Sequence, residues 1–139
     1  MPLHFEEARD LLAKVRKIAV LGAKDAPGQP VDSVGRYLIH AGFQVFPVHP
    51  VRRDVWGLPT YKSIGEVPEP VDLVDLFRAA EYCPGHAGEV LALPYKPLIF
   101  WMQLGIRSPE AVAMLEPEGI AVVQNTCLMV AHRRLFGNA

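Results

Sequence analysis

Basic and hydroxyl side chains gather around a loop that follows the first apolar run of this 139-residue chain. The loop, residues 22–30, holds two glycines and two prolines, so it cannot continue a helix or a strand. Lys24 places an ammonium group on the loop, Ser33 a hydroxyl at the start of the next helix, and Arg36 a guanidinium one turn later. A helix start with free N–H groups would bind an anion such as a phosphate together with these side chains. The alternative is that Lys24 and Arg36 are solvated and that Ser33 only caps its helix.

A pair of arginines, Arg52 and Arg53, follows the second apolar run. NAD binding would need G-x-G-x-x-G after the first run and an acidic residue about 20 residues further on. Residues 22–28 supply only the first of those glycines, and the second run ends in Val-His-Pro at residues 48–50, without a carboxylate. NAD is therefore disfavoured. Two arginines suit a phosphate on the ribose, although simple surface charge is the alternative.

Short apolar runs predict the strands that would position these residues. They cover residues 17–21, 43–48, 71–77, 98–103 and 120–124. Each run is only as long as a strand, and continuous apolar sequence is typical of strands buried on both faces. Between the runs, helical spacing or capping chemistry predicts helices over residues 8–15, from Asp32 or Ser33 to Gly42, around residues 85–93, and from Ser108 with Pro109 in the first turn.

Five strands alternating with helices predict an α/β fold, a Rossmann-type doubly wound parallel sheet with helices on both faces. Right-handed crossovers leave few strand orders for such a sheet. The glycine-bearing loop after the first strand favours the order 3-2-1-4-5 over the flavodoxin-like order 2-1-3-4-5. Ligands of these folds bind outside the carboxyl ends of the strands, where the strand order reverses.

Composition limits the classes of partner and indicates a cellular location for the protein. The 139 residues predict one domain, residues 1–139, and the 14 Lys+Arg against 15 Asp+Glu predict no general attraction for nucleic acid or for an anionic membrane. No apolar run is long enough to span a membrane and no signal peptide is evident, so the expected location is cytoplasmic, where the two cysteines stay reduced. The excess of arginine over lysine and the 13 prolines suggest a thermophilic source.

The histidines and cysteines do not form a recognisable catalytic or metal-binding pattern. The five histidines stand singly, without ligand spacing, so we expect no metal site. His49 follows a strand, and we expect a turn residue there rather than a general acid or base. Cys127 precedes a possible terminal helix over residues 128–136. We expect a packed core thiol, with a reactive thiol at a helix N-terminus as the alternative. The chain is therefore predicted not to be an enzyme by itself.

Five segments together resemble the CoA-binding domain family, whose fold also forms the N-terminal domain of the succinyl-CoA synthetase alpha subunit. The segments are IAVLGAKD (residues 18–25), FQVFPVHP (43–50), WGLPTYKSI (56–64), VDLVDLFR (71–78) and WMQLGI (101–106). They cover nearly the whole chain in the order of the family. The resemblance implies a Rossmann-type domain that binds the nucleotide end of coenzyme A.

The resemblance also assigns site residues by position. It implies a phosphate loop of Gly22, Ala23 and Lys24, a helix start at Ser33, a turn of Val48, His49 and Pro50, a basic contact from Arg52, and walls from Phe77, Arg78, Gln103 and Gly105. Many relatives have a serine where this chain has Lys24, and an arginine near Gln29 or Pro30. The phosphate site would therefore be rebuilt around Lys24.

Three hypotheses about function follow. The leading one is a stand-alone protein that holds the nucleotide-pyrophosphate part of coenzyme A, or of an acyl-CoA, at the carboxyl ends of the strands, without catalysis. The second is an NADP-dependent oxidoreductase, which the two arginines favour and the small size opposes. The third is a regulatory module that docks on an acyl-CoA enzyme or associates with itself, so that it would have a protein partner or form a homo-oligomer.

Overall fold

Five parallel strands form one sheet in the computed structural model, which describes residues 1–137. The strands are β1 (Lys17–Leu21), β2 (Gln44–Val48), β3 (Leu73–Leu76), β4 (Ile99–Met102) and β5 (Ala121–Val123). All five coincide with predicted runs, although each of the last four is shorter than its run. The α/β fold class is therefore confirmed.

Helices cover both faces of the sheet. They are α1 (Arg9–Leu12), α2 (Pro30–His40), α3 (Cys83–Leu91), α4 (Pro109–Leu115) and α5 (Leu128–Phe136). One apolar core packs α1, α2 and α5 against one face, and a second packs α3 and α4 against the other. Within residues 1–137, no helix has the length and apolar character needed to cross a membrane.

The predicted strand order 3-2-1-4-5 is wrong, because the sheet runs β2-β1-β3-β4-β5. Pro47 in β2 gives the physical reason. Its C=O accepts from the N–H of Tyr61 at 3.0 Å, on the side of β2 away from β1. The N–H and C=O of one residue point to the same side of a strand, so the N–H that proline lacks would also face outward. Proline is confined to such edge positions, and β3 therefore pairs with the other side of β1.

The start of α2 also differs from the prediction. Neither Asp32 nor Ser33 caps it, because the helix begins at Pro30 and its N-cap residue is Gln29, without a side-chain hydrogen bond. Proline fits the first position because the N–H there has no helical partner. The expected role of Gly42 is confirmed, since it follows the C-cap residue Ala41 and has a φ of 98°. Ser108 caps α4 as expected, by accepting from the N–H of Ala111. The expected helix over residues 8–15 forms only the short α1, preceded by a 3-10 turn at Phe5–Ala8.

Trp56 fixes the segment between β2 and β3 to α2. Its indole Nε1 donates to Oδ1 of Asp32 at 3.0 Å. Its ring lies so close to Gly35 that a Cβ built there would stand 2.1 Å from the ring. The segment that carries Arg52 is therefore held against the helix that begins beside the loop after β1.

Candidate functional site

The strand order reverses between β1 and β3, and the chain approaches itself closely there. The Phe77 N–H donates to the Leu21 C=O at 2.9 Å. At Gly22, with a φ of 84°, a Cβ would stand 2.3 Å from the Phe77 oxygen. Only glycine fits both the backbone conformation and this approach. The crevice outside these strand ends is where ligands of doubly wound sheets bind.

A cleft of about 460 Å³ opens at this point. Five of the predicted site residues line it: Gly22, Lys24, Phe77, Arg78 and Gln103. Residues 29–31 at the start of α2 contribute one wall, and Leu104, Ile106 and Cys127 another. The cleft therefore extends over the carboxyl ends of β1, β3 and β4 towards the start of α5.

The positive charges of three cations, on three different loops, act on His49. Burial lowers the pKa of His49 below its usual value, and the positive charges of Arg52, Lys24 and Arg78 lower it further. The imidazole Nδ1 accepts from the N–H groups of Val51 and Arg52 at 3.1 and 3.0 Å. His49 is thus a turn residue, as expected, and it marks the centre of a positively charged region.

Carboxylates of the described residues do little to neutralise these three cations. Arg52 lies 3.3 Å from a carboxylate oxygen of Asp25, with both side chains more than a third exposed. Arg78 donates to His86 and stacks on the Tyr82 ring, 4.4 Å from its centroid. Within residues 1–137, neither Lys24 nor Arg78 forms an ion pair with a carboxylate. Exposed pairs contribute little stability, so Arg52 can exchange Asp25 for an anion at small cost.

The backbone N–H groups of two expected phosphate-loop residues already donate hydrogen bonds within the protein. The N–H groups of Gly22 and Ala23 both donate to the Val48 C=O, at 3.0 and 3.2 Å. The Ala23 side chain is fully buried in the core. These two N–H groups are therefore engaged in holding the loop to β2, and the assignment of Gly22 and Ala23 to a phosphate loop stays a prediction. Gly22 shapes the cleft, and Lys24 supplies its charge.

The helix start contributes less than expected. The N–H groups of Asp32 and Ser33 both donate to the Gln29 C=O at 3.1 Å. Ser33 is exposed and does not line the cleft. Arg36 does not line it either, because its Nε donates to the Asp32 carboxylate at 2.9 Å. Burial alone would raise the pKa of Asp32, but hydrogen bonds from Trp56 and Arg36 outweigh it and hold that pKa below its usual value.

Other predicted residues lie beside the cleft rather than in it. Pro50 and Arg52 line a neighbouring depression of about 570 Å³. Gly105 does not line the cleft, and its N–H donates to Oδ1 of Asn125 at 2.7 Å. Val48 is buried and acts through its C=O. The site therefore has two adjoining parts, one at Lys24 and Arg78 and one at Arg52.

Cys127 packs against the core beneath α1, α2 and α5, as expected, but it also faces the cleft and is the most notable omission from the predicted site. Cys127 is only partly buried, lines the cleft and immediately precedes α5. The sequence signal that could have placed Cys127 in the site is its position after the last strand. His86 and Tyr82, which orient Arg78, were also missed, and no local pattern indicates that they face a residue in the preceding loop.

Comparison with known proteins agrees with this geometry. Residues 16–133 match the model of a family described as CoA binding domain. The chain belongs to this family. It is 33% identical over 126 residues to the uncharacterized protein YneT of Bacillus subtilis strain 168, covering 91% of this chain and 92% of YneT.

A solved structure and a larger enzyme show further likeness to this CoA-binding domain chain. Cell-free ID.343 from Thermus thermophilus has a TM-score of 0.88 and 41% identity, covering 96% of this chain and 100% of that one. The ADP-forming acetate–CoA ligase I of Archaeoglobus fulgidus is 25% identical over 130 residues. That match covers 88% of this chain but only 19% of the ligase, so the chain corresponds to about a fifth of the enzyme.

Proposed function

We propose that this chain binds coenzyme A, or an acyl-CoA, by its nucleotide-pyrophosphate part at the carboxyl ends of the strands, without catalysis of its own. The observation that carries the proposal is that Lys24 and Arg78, from two different loops, line one cleft, while Arg52 from a third loop contacts Asp25, the neighbour of Lys24. Coenzyme A carries a pyrophosphate and a separate ribose phosphate. A site with cations in two adjoining parts matches that distribution of charge.

Each part of the site has a role in this proposal. Lys24 and Arg78 bind the pyrophosphate in the cleft, beside the first turn of α2. Arg52 binds the ribose phosphate from the neighbouring depression. Phe77, Leu104 and Ile106 offer apolar surface to the pantetheine arm. Arg52 then exchanges its exposed contact with Asp25 for a doubly charged ligand.

The hydrogen bonds of the two histidines in this region support the proposed absence of catalysis. His49 uses its Nδ1 to hold a turn, and His86 accepts from Arg78 through Nε2. Both imidazoles are therefore engaged in positioning the cations. This supports a binding role for the site rather than proton transfer to or from a substrate.

Calorimetric titration of the purified protein with CoA, dephospho-CoA and NADPH tests the proposal. We expect CoA to bind with one site and dephospho-CoA to bind ~10- to 100-fold more weakly, because it lacks the charge-assisted contact to Arg52. NADPH also carries a ribose phosphate but should not bind comparably, since its nicotinamide half has no flexible arm to lie on the apolar surface of Phe77, Leu104 and Ile106. Failure of CoA to bind, or equal binding of NADPH, would contradict the proposal.

A further inference from the structure

Arg78 is held at the cleft by two contacts with the chain that follows it. It comes after β3, lines the cleft and lies over the Tyr82 ring, with 4.4 Å between the guanidinium carbon and the ring centroid. Its Nε donates to Nε2 of His86 at 3.1 Å. His86 belongs to α3, and its side chain is only 19% exposed. The direction in which Arg78 points therefore depends on a hydrogen bond to a titratable group.

Only the neutral form of the His86 imidazole can accept this hydrogen bond. A guanidinium has no acceptor, so Arg78 must be the donor and Nε2 of His86 the acceptor. In an imidazolium both ring nitrogens carry protons, and two donors would then face each other across this contact. Histidine is the side chain that ordinarily changes charge between about pH 5 and 8. Protonation of His86 therefore breaks the contact and leaves Arg78 free to turn away from the cleft.

Glu89 determines which effect of this proton is larger. An imidazolium near the cleft would by itself attract an anion. However, a Glu89 carboxylate oxygen lies 2.7 Å from Nδ1 of His86, three residues along α3, and would form an ion pair with the imidazolium. That pair balances most of the added charge, whereas nothing replaces the lost acceptor at Nε2. Protonation should therefore weaken anion binding in the cleft.

The surroundings of α3 add no second acidic partner to His86. Glu89 is the one carboxylate that pairs with it among residues 1–137. The sheet face beneath α3 is apolar. The other elements packed against α3 are α4 and the 3-10 turns Ile64–Glu66 and Ala80–Tyr82. Their titratable residues are Glu110, Glu66, Glu81 and Tyr82. The contact between Arg78 and His86 is thus modulated by one carboxylate, that of Glu89.

The charge of Arg78 acts on two further titratable groups. Burial raises the pKa of the Cys83 thiol, although Arg78 opposes this. Burial lowers the pKa of His49, and the charges of Arg52, Lys24 and Arg78 lower it further. Neither group accepts a hydrogen bond from Arg78 in the described part of the chain, where its side-chain acceptor is His86. His86 is therefore the group that couples the orientation of Arg78 to pH.

We propose that His86 is a positioning residue that makes anion binding in the cleft depend on pH, strong while its imidazole is neutral and weaker once it is protonated. The inference rests on the proposed binding of coenzyme A. Neutral His86 aims Arg78 at the pyrophosphate. Protonated His86 pairs with Glu89 alone and no longer holds Arg78. By reciprocity, binding of the anion should release the proton from His86.

Calorimetric titration of CoA into wild type and His86→Gln at two pH values tests the proposal. The glutamine amide oxygen can replace Nε2 as an acceptor and does not titrate. Between about pH 8 and about pH 5.5, where histidine changes charge, wild type should lose more affinity than the variant. We expect the difference to be ~5- to 10-fold, the effect of one hydrogen bond. Comparing the two proteins cancels the titration of His49 and of the CoA phosphates.

Two more variants define the role of the acceptor. His86→Leu cannot accept at any pH, so at the higher pH it should bind CoA ~5- to 10-fold more weakly than wild type. Its affinity should then change with pH as that of His86→Gln does. His40→Gln is the matched control, since His40 is exposed at the opposite end of α2 from the residues that line the cleft. This control should keep the wild-type pH profile. Circular dichroism verifies that each variant is folded.

Proton release gives a second readout that a merely structural role would not change. Calorimetry at about pH 6.5 in buffers of different ionisation enthalpy counts the protons released on binding. Wild type should release more protons than His86→Gln, because binding favours the neutral imidazole. Equal proton release by the two proteins would count against the proposal.

The outcomes distinguish this inference from the proposed function. If CoA binds and the affinities of wild type and His86→Gln fall in parallel with pH, the positioning role is overturned and the proposed binding stands. If wild type gains affinity relative to the variant at the lower pH, the role is also overturned, because the imidazolium would then be attracting the anion. If CoA does not bind at the higher pH, both proposals are overturned.

Discussion

Arg78 donates from Nε to Nε2 of His86 over 3.1 Å. Since arginine is always protonated, that histidine nitrogen must be an acceptor, and the other nitrogen, Nδ1, faces a Glu89 carboxylate oxygen at 2.7 Å. The guanidinium also lies over the Tyr82 ring. Both direct partners of Arg78 can hold it in place without neutralising its charge. A cation held in this way is oriented for an anion before the anion arrives.

Replacing this cation should weaken the proposed site. Arg78→Ala should lower CoA affinity ~10- to 100-fold, because a charge-assisted contact to phosphate is lost. Calorimetry measures the change. Arg134→Ala is the matched control, since Arg134 is exposed in the last turn of α5, far from the cleft at the start of that helix. Equal affinities of Arg78→Ala and the control would remove Arg78 from the site.

Arg52 should distinguish CoA from dephospho-CoA. The variant Arg52→Ala should lose ~10-fold or more in affinity for CoA and little for dephospho-CoA, because only CoA carries the ribose phosphate assigned to this arginine. Titrating both ligands into both proteins gives the coupling between the side chain and the phosphate. A similar loss for the two ligands would place Arg52 at the pyrophosphate instead.

Gly35 should be intolerant of even one added carbon. In Gly35→Ala the new Cβ would lie 2.1 Å from the Trp56 ring, so the ring or the helix must move. We expect a loss of ~1–3 kcal/mol in the free energy of unfolding, measured by urea denaturation. Gly85→Ala is the control: Gly85 lies in α3 with nothing within 4 Å of its Cβ position, and this change should stabilise by ~0.5–1 kcal/mol. A stable Gly35→Ala protein would show that Trp56 does not restrain α2.

Asp75 should make stability fall as pH rises. It is fully buried in β3, neither carboxylate oxygen has a hydrogen-bond partner among residues 1–137, and burial raises its pKa well above the usual 3.8. Below about pH 3.8, the Asp75 carboxyl is protonated in both the folded and the unfolded chain. Above it, the unfolded chain loses the proton and the folded chain keeps it, so unfolding becomes more favourable until the pH reaches the folded pKa.

The variant Asp75→Asn keeps the shape of the side chain and removes this titration. We expect the free energy of unfolding of wild type, relative to the variant, to decrease by up to about 1.4 kcal/mol per pH unit as the pH rises from about 4 towards the folded pKa of Asp75. Denaturation with urea at a series of pH values measures it. Parallel pH profiles of the two proteins would show that Asp75 ionises normally in the fold.

Pro47 shows where the sequence held information that the strand-order prediction did not use. A proline inside β2 already indicates an edge strand, whereas the order 3-2-1-4-5 places β2 between two neighbours. The glycine after β1 serves the close approach to Phe77, which follows β3. That approach needs β3 beside β1, as in the observed order, so this glycine is no argument for the order 3-2-1-4-5.

The sequence by itself determined the five strands, the left-handed Gly42 after α2, the cap of α4 at Ser108 and the family. Strand and cap signals are local, since they depend on side-chain period and on backbone chemistry within a few residues. Only the tertiary structure brought Lys24, Arg52 and Arg78 together, tied the Gly22 and Ala23 amides to Val48, and opened Cys127 to the cleft. These relationships join residues far apart in the chain, and their geometry is set by which strands pair in the sheet.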